Sequence, residues 1–107
     1  ASGDQHKNTL AALNGLAQLL QHQGRLAEAE PLFREDLTAS RETLGDRHPD
    51  TLASISGLAQ LLDQQGRFAD AEPLFREALA GFRETLGDRH SNTLGAINGL
   101  AELLQGQ

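Results

Sequence analysis

The feature that most constrains this chain is that it repeats itself. His6, His48 and His90 stand 42 residues apart, and each is followed in step by Thr-Leu (9–10, 51–52, 93–94), Gly-Leu-Ala (15–17, 57–59, 99–101) and Leu-Leu (19–20, 61–62, 103–104). Between segments 6–47 and 48–89, only 13 of 42 aligned positions differ. Gly3-Asp4 aligns with Gly45-Asp46 and Gly87-Asp88. Residues 3–107 therefore read as one array: unit one at 6–47, unit two at 48–89, and the first half of unit three at 90–107. Ala1-Ser2 fall outside the pattern and read as a cloning remnant, and the half unit reads as part of a longer array. A fixed period of this length marks supersecondary units that stack on their neighbours, with no single central core.

Each unit reads as two helices. In the second half of unit two, Ala71, Leu74, Phe75, Ala78, Leu79, Phe82 and Leu86 follow the i, i+3, i+4, i+7 spacing of one helical face. Glu72 precedes Arg76 by four residues, the favourable order for an ion pair on a helix surface. In the first half, Leu52, Ile55, Leu58, Ala59 and Leu62 form the matching stripe. Gly24 and Gly66 follow the first helices and Gly45 and Gly87 the second ones, where a residue of positive φ ends a helix. Pro49 suits a first helical position, and Pro31 and Pro73 are expected in the first turn of the second helices, where their missing N–H groups leave no bond unmade. No strand pattern is present. Five helices are expected, in the order A1, B1, A2, B2, A3.

Composition narrows the function. Hydrophobic residues are 38% of 107, and the 11 glycines bring the apolar share into the range of folded domains. The net charge of −6 and the lack of Trp and Tyr argue against a nucleic-acid partner, which needs phosphate-neutralising cations and rings that stack on bases. No apolar run reaches the ~18 residues needed to span a membrane. Residues 1–6 carry no signal-peptide pattern, and with no cysteine there are no disulfides or thiolate sites. His6, His48 and His90 invite a metal reading. A 42-residue period spreads them along the stack, however, and their position just ahead of a helix favours a helix-start role. No catalytic or cofactor motif appears, so the chain reads as a non-enzyme without a cofactor.

Unit two reads His48-Pro49-Asp50-Thr51-Leu52, Leu58-Ala59, Gln65-Gly66-Arg67-Phe68, Ala71-Glu72-Pro73-Leu74-Phe75, Ala78-Leu79 and Leu86-Gly87. This resembles the tetratricopeptide repeat, in the 42-residue form of kinesin light chains and many bacterial signalling proteins. The resemblance implies an all-α fold, a right-handed superhelical solenoid with A helices on the concave side and B helices on the convex side. It places the family's core slots on Ile55, Leu58, Ala59, Leu62, Ala71, Phe75 and Ala78. One departure stands out: Asp36 occupies in unit one the small buried slot of Ala78.

The resemblance also implies a peptide or protein partner held along the concave face. By alignment, that face carries Asn14, Gln18 and Gln21 in unit one, Ser56, Gln60 and Asp63 in unit two, and Asn98 and Glu102 in unit three. Side-chain amides dominate, and these offer both donors and acceptors to an extended backbone. The row holds no Lys or Arg, so the carboxylate clamp of chaperone-binding family members is not expected. Gly15, Gly57 and Gly99 break the helices' propensity, and close packing between units is preferred over a track for the ligand. The expectation is an interaction module of a larger cytoplasmic scaffold or signalling protein. The alternative is a structural spacer whose copies self-associate, as a homodimer through an uncovered strip of Leu100, Ala101 and Leu104 on the last helix.

Overall fold

The computed structural model describes residues 2–106, with side chains from Ala12 onward. Five helices follow one another: α1 (Ser2–His22), α2 (Leu26–Leu44), α3 (Pro49–Gln64), α4 (Phe68–Leu86) and α5 (Ser91–Gly106). There is no strand among the described residues. Each helix packs on the next, α3 also touches α5, and the molecule is a slab of 45 × 33 × 19 Å. The architecture is a helical solenoid, with the core drawn out as a row of joints.

Local chemistry accounts for the boundaries. Gly24 and Gly66 take φ of 79° and 78°, while Gly45 and Gly87 reach φ 88° with ψ 163° and 165°, an extended region that only glycine occupies at little cost. His48 is the N-cap of α3 and its Nδ1 accepts from the Asp50 N–H at 3.1 Å; His90 does the same for Asn92 at 3.1 Å. In these two units the repeated histidine is a helix cap. α1 continues through His6, where Lys7 replaces the Pro49 that holds His48 in an extended backbone. The His6 side chain, like Ala1 and the Ser2 side chain, lies outside the described residues.

Two expectations need correction. Pro31 and Pro73 are sixth in α2 and α4, because those helices begin at Leu26 and Phe68. Each therefore leaves the carbonyl four residues back (Ala27, Ala69) without its helical donor. Ala27 and Ala69 are exposed, so water can take that role. On α5, Leu100 is only 9% exposed, buried on the side where α3 and α4 pack, whereas Ala101 and Leu104 are exposed. Leu94 joins them at the surface, so the uncovered strip is Leu94, Ala101 and Leu104.

The core slots are filled as the repeat implies. Ile55, Leu58, Ala59, Leu62, Ala71, Phe75 and Ala78 are all 1% exposed or less. Leu52, Leu61, Phe33, Phe82 and Leu103 are buried as well, each large side chain contributing roughly 1.5–3 kcal/mol. The two end helices differ from the middle one. Leu16 and Leu19 on α1 are 48% and 54% exposed, while their counterparts Leu58 and Leu61 on α3 are 1% and 0%.

Candidate functional site

The A helices α1, α3 and α5 align side by side, and two hollows open between them. The first, of about 450 Å³, lies between α1 and α3 and is lined by Gln18, Gln21, His22, Phe33, Gly57, Gln60 and Gln64. The second, of about 310 Å³, lies between α3 and α5 and is lined by Gln60, Asp63, Gln64, Phe75, Gly95, Asn98, Gly99 and Glu102. Gln60 and Gln64 border both, so the hollows form one row.

The floor comes from the B helices. A Cβ built on Gly57 would stand 3.2 Å from Phe33 Cε1, and one on Gly99 would stand 2.6 Å from Phe75 Cε1. Those distances decide the role of the two glycines: each makes room for a ring of the preceding B helix. The first glycine behaves differently, for a Cβ on Gly15 meets nothing within 4 Å. Sequence periodicity placed Phe75, whose counterpart in unit one is Phe33, on the buried stripe but missed that the two rings close the bottom of the hollows. The 24-residue step from each phenylalanine to its glycine was the available signal.

The structure sorts the expected site residues into two groups. Gln18, Gln21, Gln60, Asp63, Asn98 and Glu102 line the hollows. Gln21 Nε2 donates to Gln64 Oε1 across α1 and α3 at 2.8 Å, and Gln18 Nε2 donates to Asn14 Oδ1 along α1 at 2.9 Å. Asn14 and Ser56 line neither hollow. The Asn14 amide instead points inward and donates to Asp36 Oδ2 at 3.3 Å. That carboxylate is 2% exposed and also accepts from Ser54 Oγ, 2.6 Å away on α3. The buried charge of unit one is thus held by a hydroxyl of unit two. At the next joint the equivalent positions are Ala78 and Ala96, both buried and apolar.

Charge is distributed unevenly. Arg41 joins α2 to α4 through a two-pronged contact with Glu77, at 2.9 and 3.1 Å, and reaches Asp46 at 2.9 Å; these hydrogen bonds raise its already high pKa. Arg67 bonds Glu30 at 2.8 Å, and Arg34 bonds the same carboxylate at 2.9 Å. Burial works against the charged form of Glu30, but the two guanidinium groups outweigh it and hold its carboxyl below the usual range. Arg25, Arg47, Arg76 and Arg83 also pair with carboxylates. Among the described residues no Lys or Arg lines either hollow, whereas Asp63 and Glu102 both line the second.

The tetratricopeptide repeat profile matches residues 8–84. The chain belongs to the tetratricopeptide repeat family. Among solved structures, this tetratricopeptide chain is similar to BtubC (BKLC) from P. vanneervenii, with a TM-score of 0.84 and 24% identity over 91% of this chain and 38% of that one. It is also similar to a kinesin-light-chain-like protein from Podosopora anserina with nearly identical TPR-like repeats. There the TM-score is 0.82 and the identity 29%, over 91% of this chain and 46% of that one. The chain thus spans less than half the length of either structure. No curated protein matches it. Tetratricopeptide repeats are in general protein–protein interaction modules, and no helix among the described residues is long and apolar enough to cross a membrane.

Proposed function

We propose that this tetratricopeptide segment belongs to a larger cytoplasmic scaffold or signalling protein and holds an extended peptide of its partner along α1, α3 and α5. The observation that supports the reading is the row of two hollows with aromatic floors and amide rims. An extended backbone laid along the row meets donors and acceptors of Gln18, Gln60 and Asn98, while the buried Phe33 and Phe75 rings close the bottom of the hollows. Charge complementarity gives a direction: the second hollow, with Asp63 and Glu102 and no cation among the described residues, favours a peptide with Lys or Arg at that point.

The test is capture from an extended-peptide library by fluorescence anisotropy, with melting temperature measured in parallel. Gln60→Ala and Asn98→Ala are expected to weaken capture at unchanged Tm. The double change Asp63→Asn with Glu102→Gln is expected to erase the preference for basic peptides. Unchanged capture in all of these sinks the reading. The structural-spacer alternative draws on Leu94 and Leu104, which are 48% and 45% exposed on α5. It requires a dimer in light scattering that survives addition of a second helix to unit three; reversion to monomer removes it.

A further inference from the structure

Among the described residues Asp36 is the only buried acidic or basic side chain, and it lines neither hollow. A carboxylate accepts hydrogen bonds and cannot donate them, so an amide that bonds it must turn its N–H2 end inward. Asn14 does this, its Nδ2 donating to Asp36 Oδ2 at 3.3 Å. The oxygen of the same amide is then the end offered to Gln18, whose Nε2 donates to Asn14 Oδ1 at 2.9 Å. That leaves Gln18 Oε1 as the open end of the relay, on an exposed residue that lines the first hollow. The polarity of a buried group is carried through two amides to the rim. The other amide pair in the row has no such polarity, since exchanging oxygen and nitrogen in both Gln21 and Gln64 leaves an equally good bond. In unit two, Ser56 and Ala78 occupy the slots of Asn14 and Asp36, so Gln60 lacks the relay.

We propose that Asp36 is a positioning residue for the ligand of the first hollow. Acting through Asn14, it holds the Gln18 amide with Oε1 outward, so this point of the groove recognises a donor, the backbone N–H of an extended peptide. The inference rests on the reading of the hollows as a peptide groove. Asp36→Ala ends the constraint: Asn14 can then offer either end of its amide, and Gln18 can present oxygen or N–H2 to the ligand. Gln18→Glu is the complementary change, because a carboxylate presents oxygen whichever way Asn14 turns.

Two measurements on the whole chain test this, with the fold of each variant checked by circular dichroism. The first needs no ligand. Nitrogen relaxation in NMR is expected to show an ordered Gln18 N–H2 group in the original chain and fast motion of that group in Asp36→Ala and in Asn14→Ala, with the Gln21 amide unchanged. The second uses the tightest-binding peptide of the extended-peptide library and an ester scan of it, in which each backbone N–H in turn is replaced by oxygen. One ester is expected to weaken anisotropy-measured binding to the original chain about fivefold, the size of an ordinary hydrogen bond. In Asp36→Ala that loss is expected to shrink to about twofold or less, and adding Gln18→Glu is expected to restore it; comparison between chains cancels the ester's other effects. An Asp36 that serves packing alone leaves the scan the same in both chains, and that result overturns the proposal. Gln18 motion that does not respond to Asp36, with capture intact, overturns the relay while the groove reading stands. Failure of the original chain to capture any library peptide overturns the groove reading, and the recognition role with it.

Discussion

Removal of one hydroxyl at the first joint should cost more than removal of the charge it serves. Asp36 is 2% exposed, and its Oδ2 accepts from Ser54 at 2.6 Å and Asn14 at 3.3 Å. Ser54→Ala leaves that oxygen with only the longer bond. A hydrogen bond to a buried charged acceptor is worth roughly 1.5–3 kcal/mol, so the loss is set at about 2 kcal/mol, or about 10 °C in Tm for a chain of this size. Asp36→Ala behaves differently. Ser54 Oγ keeps the Asp50 carbonyl at 3.1 Å as an acceptor, and the half-buried Asn14 can turn to Gln18 or to water. Since the result copies Ala78 of the second joint, stability should stay within about 1 kcal/mol of the original or rise.

The decisive measurement is a double-mutant cycle by urea denaturation followed by circular dichroism. Alanine is a better helix former than serine, a gain common to both backgrounds that cancels in the coupling term. Ser54→Ala is expected to cost about 2 kcal/mol in the original chain and about zero in the Asp36→Ala background. Equal costs in the two backgrounds would refute the reasoning.

Four further outcomes follow from the geometry. Gly99→Ala should destabilise despite its better helix propensity, because the new methyl would stand 2.6 Å from Phe75; Gly57→Ala, at 3.2 Å, should cost less, and thermal melts of the pair check the order. Gly81→Ala should cost roughly 1–3 kcal/mol in urea titration, since a Cβ there overlaps both methyls of Leu52. The carboxyl of Glu30 is held below its ordinary value of 4.5, so its share of stability is complete above that value and is lost as pH falls through the lower folded-state value. Glu30→Gln should therefore be less stable than the original chain at neutral pH, with the gap closing in melts taken progressively below that ordinary value. Arg41→Lys should cost about 0.5–1 kcal/mol in low-salt denaturation and less at high salt, because lysine cannot make the forked contact with Glu77.

The fold was legible because a repeat shows every structural slot more than once. Positive-φ glycines, the cap positions of His48 and His90, and the buried stripes of α3 and α4 all follow from single-residue chemistry read at a fixed period. What escaped are properties of pairs across a joint. Asn14 aligned with the concave row, yet its amide serves Asp36, and nothing in one position's chemistry shows where a side chain turns. The close approach of Gly81 to Leu52 is likewise a property of a pair of positions. Pro31 stands outside the first turn because α2 starts at Leu26, and a boundary shift of a residue or two decides whether a missing N–H matters. Asp36 could have been resolved: it and Ser54 depart together from the alanines at 78 and 96, on opposite sides of one joint.

That paired departure bears on how near-identical units keep their order. With 13 differences in 42 positions, α2 and α4 are close to interchangeable as partners for α3 and α5, and phenylalanine-to-glycine packing is the same at both joints. A chain that paired α2 with α5 would still set a phenylalanine against a glycine, so that contact alone would not penalise the error. The polar pair does. With Asp36 against Ala96, the carboxylate would lose its Ser54 donor in a site built for a methyl group, while Ser54 against Ala78 would lose its carboxylate partner. Such a mismatch costs what the opening cycle measures, about 2 kcal/mol, or roughly a thirtyfold preference for the native order. A buried charge that adds little to the stability of the correct stack can thus exclude the incorrect one, which explains why unit one can carry Asp36 where unit two carries Ala78.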